Sequence, residues 1–163
     1  MMNHHKLQLA MMEYYSGDPK RIQHFLKVYE FAKMIGEGEQ LPEETRHILE
    51  TAALVHDIGI RNAEEKFGSC SGKLQEQEGP AEAEKMLSAL GYAPEVIRRV
   101  SYLVGHHHTY RNVQGEDYRI LLEADFLVNG YEDALDKEAL QKGFDNIFRT
   151  DTGKKICQSM FGL

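Results

Sequence analysis

The sequence predicts an all-α fold in a single domain, and three observations carry that prediction. Apolar residues recur at helical three- and four-residue spacing in several segments, such as Val28, Phe31, Ala32 and Ile35. The breaks between segments are helix punctuation, with glycine after one apolar run and proline just inside the next. No hairpin dipeptide sits between two alternating apolar runs, so strand signals are scarce.

About seven or eight helices are expected from this punctuation. The first covers about residues 6–15 and stops at Ser16-Gly17. Asp18 caps the second, with Pro19 at its first position, and that helix reaches about Ile35 before Gly36-Glu37-Gly38. Pro42 opens the third, with Glu43 and Glu44 in the first turn, where the helix dipole favours acids. It continues through Ile48, Ala52 and Val55 to Gly59. The polar stretch 61–77, containing Gly68-Ser69-Cys70-Ser71-Gly72, reads as the longest loop, and long loops in compact domains are often functional. A fourth helix starts near Pro80 and ends at Leu90-Gly91. Pro94 opens a fifth that reaches His106-His107-His108. A sixth begins at Asp117 or Tyr118 and ends at Asn129-Gly130. Residues 136–163 read as one or two further helices interrupted at Gly143 and Gly153. No linker, repeat or low-complexity segment divides the chain.

Composition narrows the function classes. A chain of 163 residues can bury one real core, and 42% hydrophobic with 28% charged residues is an ordinary soluble balance. A net charge of -7 argues against a broad nucleic-acid footprint, although a small phosphate ligand needs only a few local cations. No apolar run approaches the ~20 residues of a membrane helix. The first twelve residues lack a signal-peptide core, and Cys70 and Cys157 are isolated. A cytoplasmic protein with two reduced thiols is the expectation. The eight histidines are the one oddity, and two of them, His4 and His5, fall where fraying is expected.

Three polar anomalies stand on faces that should be buried, where a charge is costly unless paired or metal-bound. His24 shares a helical face with Val28, Phe31, Ala32 and Ile35. Taken alone, a hydrogen-bonded core histidine is the better reading. His56 and Asp57 close the nearly apolar run 51–59, and a helix C-terminus is a poor place for an unpaired carboxylate. A buried His–Asp hydrogen bond is the alternative there. Asp125 shares a face with Leu121 and Val128 and has no Lys or Arg three or four residues away, which leaves a metal or a distant arginine as its partner. Two imidazoles and two carboxylates form a mixed N/O set that suits Mn, Fe, Co, Ni, Zn or Mg rather than a thiolate-bound metal. Such a set leaves positions on the ion for water and a substrate oxygen.

The order of these motifs resembles the HD-domain superfamily of metal-dependent phosphohydrolases. The matching segments are Arg21-Ile22-Gln23-His24, Ala53-Leu54-Val55-His56-Asp57-Ile58-Gly59 and Glu123-Ala124-Asp125. The resemblance implies an HD-type helical bundle over residues 1–163, with its motif-bearing core at about 20–130 and a C-terminal helical extension at 136–163. It implies that His24, His56, Asp57 and Asp125 bind a divalent metal. Many relatives carry Lys after the HDIG stretch, whereas here Ile60 and Arg61 follow, and Arg61 is either a phosphate contact or a solvated arginine. Two-metal relatives carry further histidines. Gln75 stands at the first of those positions with Glu78 one turn later, and Gly105-His106-His107-His108 matches the second. A second metal on Glu78, His106 and His107 is therefore a candidate, as are Asp57 and His106 as catalytic groups and His107 as a phosphate contact.

The implied function is metal-assisted hydrolysis of a nucleotide or another small phosphate ester, with neither membrane nor nucleic acid as partner. Two rivals stay open, a di-iron oxygenase of the same fold and a non-catalytic metal- or nucleotide-binding regulatory module. Helical faces of HD-like domains often pair, so a homodimer is an expectation of the resemblance alone.

Overall fold

A computed structural model describes residues 4–163. Among them are nine α-helices and no strand: α1 His5–Tyr14, α2 Pro19–Gly38, α3 Glu43–Val55, α4 Gly59–Phe67, α5 Gly72–Ala89, α6 Pro94–Val104, α7 Glu116–Glu132, α8 Lys137–Ile147 and α9 Asp151–Phe161. The Asp18 cap is the one expected from the sequence, and two further caps are found in the tail. Asp18 accepts from Arg21 N at 3.2 Å with Pro19 in the first turn of α2, and Asp136 and Thr150 cap α8 and α9.

α2 is the spine. Its buried Phe25, Val28, Ala32 and Ile35 lie in the core with Leu54, Leu121 and Val128, and it packs chiefly against α3 and α7. α4, α5 and α6 form a second layer alongside. α3 and α7 are buried over most of their turns, so polar groups at His56, Glu123 and Asp125 are held away from water.

The segment 61–77 differs from the sequence expectation. It is helical except at residues 68–71, where Gly68 ends α4 in the left-handed conformation (φ 65°) and Ser71 caps α5. The nine-residue α4 and the first turns of α5, separated by Gly-Ser-Cys-Ser, carry so few apolar residues that their periodicity is masked. Ile60 and Ala63 bury from α4, and Gln75, Gly79, Ala83 and Leu87 bury from α5. Pro80 lies inside α5 rather than opening it. The two helices cross at glycines: a side chain on Gly59 would meet Gly79 N at 2.6 Å and Gln75 O at 2.7 Å. That close crossing brings Gln75 alongside the start of α4.

The tail breaks at residues 148–150, between α8 and α9, and not at Gly143 or Gly153. Both glycines are inside helices, where a side chain would collide with the Phe126 ring and with the Glu123 carboxylate respectively. Glu123 is fully buried and accepts from Arg149 N (2.8 Å), Thr150 N (3.1 Å) and Thr150 Oγ1 (2.6 Å), so it ties α9 to α7. Glu39 accepts from Thr152 N (3.1 Å) and Oγ1 (2.7 Å) at the other edge. The first histidines are not frayed either. His5 begins α1, and His4 stacks on His47 (5.0 Å between centroids) and faces Glu50 at 3.3 Å. No helix of the described residues is long and apolar enough to cross a membrane.

Candidate metal centre

Four donor atoms from three segments converge below the middle of α2. His24 Nε2 lies 3.1 Å from Asp57 Oδ2 and 3.2 Å from Asp125 Oδ1. His56 Nε2 lies 3.3 Å from each of the same two oxygens, and 3.3 Å from His24 Nε2. The local chain explains how they meet. α3 ends at Val55, and the turn before α4 swings Asp57 inward. Tyr15 pins that turn by donating to Asp57 O at 2.7 Å, and Tyr14 donates to Ile58 O at 3.3 Å.

The ring orientations are set from behind. His56 Nδ1 donates to Ala53 O at 2.7 Å. His24 Nδ1 faces Glu132 Oε1 at 2.7 Å, and Glu132 in turn meets Lys27 Nζ at 2.7 Å. With Nδ1 carrying the proton, each neutral ring presents its Nε2 lone pair to the carboxylates. Four electron-rich atoms then face one another at van der Waals range, and only a cation or added protons can hold them there. Asp125 Oδ1 is buried and makes no hydrogen bond of acceptable geometry, although both imidazole nitrogens are near it.

The electrostatics agree. Burial opposes a proton on His24, but the Asp125 and Asp57 carboxylates beside its Nε2 hold its pKa up at about 11. Burial likewise opposes a proton on His56, and the charge of Asp57, with the Asp125 carboxylate beside it, holds it at about 10. Burial pushes the Asp57 and Asp125 carboxyls upward, yet the imidazoles beside them keep both well below the usual carboxylate range. The pocket therefore demands positive charge. Two protons on nitrogens 3.3 Å apart supply it poorly. A divalent ion supplies it well, because ligands about 2.0–2.2 Å from one ion stand roughly 3.0–3.5 Å from each other. His24, His56 and Asp57, with Asp125, fit such an ion.

A second cluster adjoins the first. Asp57 Oδ1 lies 3.4 Å from His107 Nε2, so the two Asp57 oxygens face different clusters. Gln75 Oε1 is 3.3 Å from His107 Nε2 and 2.8 Å from His108 Nε2, and Gln75 Nε2 donates to Cys70 O at 2.7 Å, which turns the amide oxygen toward the histidines. His107 Nδ1 donates to Val104 O at 2.7 Å. Asp57, His107 and His108 could hold an ion here. Burial, and then His107, lower the His108 pKa to about 4.

Several expected site residues are elsewhere. His106 stacks on Tyr102 (4.0 Å between centroids) and its Nδ1 donates to Tyr102 O at 2.7 Å, away from both clusters. Its place is taken by His108, because the turn after α6 directs His107 and His108 inward. Glu78 points out of α5 and pairs with Lys66 at 2.7 Å. Helical phase decides this, since the buried face of α5 runs through Gln75, Gly79 and Ala83. Arg61 lies over the Tyr14 ring at 3.9 Å and donates to Tyr14 O at 2.9 Å, in a groove with Lys85 and Met86. It faces outward because Ile60 and Ala63 take the inner face of α4. His107 is fully buried and does not line the open cleft.

A cleft of about 240 Å³ opens onto the clusters. Its walls include Asp18, Lys20 and Arg21 from the start of α2 and Asn129, Glu132 and Asp133 from the end of α7. Sequence reasoning missed these residues and Lys27. The signal existed: Asn129 and Glu132 follow Asp125 at four and seven residues, on one helical face, and Lys20 precedes His24 by four.

The sequence pattern of the HD domain matches residues 21–141. No curated protein sequence matches significantly. The crystal structure of a predicted HD superfamily hydrolase from an uncultured Thermotogales bacterium superposes with a TM-score of 0.68 at 24% identity, covering 98% of this chain and 86% of that one. At that identity the likeness concerns the fold. The match across residues 21–141 spans every residue of the four-atom cluster. The chain belongs to the HD-domain family.

Proposed function

We propose that this protein is a metal-dependent phosphohydrolase that cleaves small phosphate esters. One observation carries the reading: four donor atoms on His24, His56, Asp57 and Asp125 converge at 3.1–3.3 Å, an arrangement that only a cation or added protons can hold, at the floor of an open cleft. These four residues would hold the ion. A divalent ion there supplies Lewis-acid polarisation of a phosphoryl oxygen and lowers the pKa of a water molecule. The protein does the rest by positioning. Ala53 O and the Glu132 carboxylate fix the two imidazole tautomers, and Lys27 keeps Glu132 ionised and in place. Asp57 commits one oxygen to each cluster and so sets the line between them. His108, on the cleft wall, donates its Nε2–H to Gln75 Oε1 at 2.8 Å, which fixes the orientation of its ring there.

A two-metal version is favoured by a specific feature, the split Asp57 carboxylate with His107 and His108 beyond it. Gln75 contributes a hard amide oxygen to that cluster where an iron-binding oxygenase would use an imidazole, which favours hydrolysis over redox chemistry. The test is hydrolysis of a generic aryl phosphate with Mn, Co, Ni or Mg added, beside Asp125→Asn. Turnover that depends on the metal and falls at least about a hundredfold in the variant supports the reading. Metal-independent turnover, or none with any ester, refutes it.

A further inference from the structure

The proposed hydrolase chemistry leaves the alcohol part of the ester unspecified, and the cleft walls speak to it. α2 and α7 each contribute one residue to the metal-binding cluster, and each continues along the cleft. Lys20 precedes His24 by one turn, while Asn129 and Asp133 follow Asp125 by one and two turns. Among the described residues, Lys20, Asn129 and Asp133 are the cleft side chains with a polar end and no hydrogen bond or ion pair. Their neighbours are all engaged. Arg21 meets Asp18 at 3.4 Å and Glu64 at 3.5 Å, and Glu132 is held between His24 and Lys27.

The free groups are a cation on one wall and two oxygen acceptors on the other, all lining the cleft that holds His24, Asp57 and Asp125. The cation suits the phosphate. The acceptors suit hydroxyl donors. Among the described residues, Ile60 is the one apolar side chain lining the cleft and no Phe, Tyr or Trp lines it; the rings there are the imidazoles of His24 and His108, held by Glu132 and Gln75, so no large ring is present to stack or sheath a base. Tyr110 and Tyr131, the most exposed tyrosines, lie outside the lining, and the Tyr131 ring faces Lys27 Nζ at 5.7 Å. The carboxylates of Asp18, Glu132 and Asp133 surround the entrance and would repel a second phosphate.

Resting on the hydrolase reading, we propose that the substrate is a compact polyhydroxylated phosphate monoester, a sugar or polyol phosphate, and not a nucleotide. Lys20 meets the phosphate, and Asn129 and Asp133 receive the hydroxyls.

Ribose 5-phosphate and AMP form a closely matched pair, in which the base of AMP replaces the anomeric hydroxyl. Calorimetry on the Mn-supplemented protein would compare these two and inorganic phosphate in wild type, Lys20→Gln, Asp133→Ala and Arg61→Gln. The expected result is ribose 5-phosphate bound about tenfold more tightly than AMP, with Lys20→Gln weakening all three ligands about tenfold. Asp133→Ala should weaken ribose 5-phosphate and leave inorganic phosphate unchanged, and Arg61→Gln should change nothing. AMP bound as tightly as ribose 5-phosphate, or phosphate binding indifferent to Lys20, overturns the proposal whatever the activity. The expected binding pattern without hydrolysis of either ester leaves the cleft assignment standing and refutes the hydrolase reading.

Discussion

Glu123 offers the sharpest stability test, because one buried side chain joins the C-terminal helices to the helix that carries Asp125. Its carboxylate accepts three hydrogen bonds from residues 149 and 150, at 2.8, 3.1 and 2.6 Å, and Thr150 is itself the cap of α9, accepting from Gly153 N at 2.9 Å. Truncation to alanine removes the acceptor of two backbone N–H groups and one hydroxyl. Each bond to a charged acceptor contributes about 1.5–3 kcal/mol net, and a donor left buried costs about 1–3 kcal/mol. The simple sum overshoots, because burial pushes the Glu123 carboxyl upward and its desolvation is recovered on removal. A loss of about 3–5 kcal/mol remains for Glu123→Ala. Glu123→Gln keeps an oxygen for the two backbone donors, and Thr150 can rotate to accept from the new amide, so its loss should be about 1–2 kcal/mol. Urea denaturation measures both, and hydrogen exchange localises the effect. Protection should fall first in α9. A Glu123→Ala protein within about 1 kcal/mol of wild type, with α9 still protected, would refute the assignment of Glu123 as the tie.

Three further outcomes follow from the same geometry. Glu132→Gln removes the carboxylate behind His24 Nδ1 and strands Lys27, so metal affinity by competition titration should drop about 10–100-fold with little change in unfolding midpoint. An unchanged affinity would show that the tautomer of His24 is set otherwise. Metal binding at pH 7 should release at least one proton per ion, because the folded pKa values of His24 and His56, about 11 and 10, keep them protonated before the metal arrives. Calorimetry in buffers of different ionisation enthalpy counts those protons, and a count of zero contradicts the charge argument. His47 has its pKa lowered by burial and then by His4, which stacks on it. The folded state thus disfavours its protonated form, and the stability is present above the unfolded value of about 6.5 and declines as pH falls toward the lowered folded value. His47→Gln should flatten the acid side of the stability profile below pH 6.5, and an unaltered profile would remove His47 from the account.

The all-helical fold was legible because caps and apolar spacing agree along α2, α3, α6 and α7. So were the four polar side chains of the cluster, since each interrupts an apolar face and no nearby residue in sequence can satisfy it. The stretch 61–77 was misread for a physical reason. α4 buries only Gly59, Ile60 and Ala63, and α5 carries Pro80 in its interior, so neither announces its period. That error propagated to the site. In a loop Arg61 could have reached a bound phosphate, and Glu78 just beyond that loop a second metal, but in helices Arg61 lies over Tyr14 and Glu78 pairs with Lys66 instead. The choice among His106, His107 and His108 depends on the exact turn that ends α6, which residue spacing does not resolve to one position. Cleft residues such as Lys20 and Asn129 were signalled only by their one-turn spacing from His24 and Asp125, and Asp133 not at all, because a charged residue at a helix end is usually solvated.

The central claim is that His24, His56, Asp57 and Asp125 enclose a divalent ion. Metal content by mass spectrometry, on protein purified without an affinity tag and compared with Asp57→Ala, tests it most directly. The account predicts at least about one transition metal per chain in the wild type and none in the variant, with a second equivalent assigned to Asp57, His107 and His108. A wild-type protein that stays metal-free after incubation with Mn, Co and Ni would contradict it.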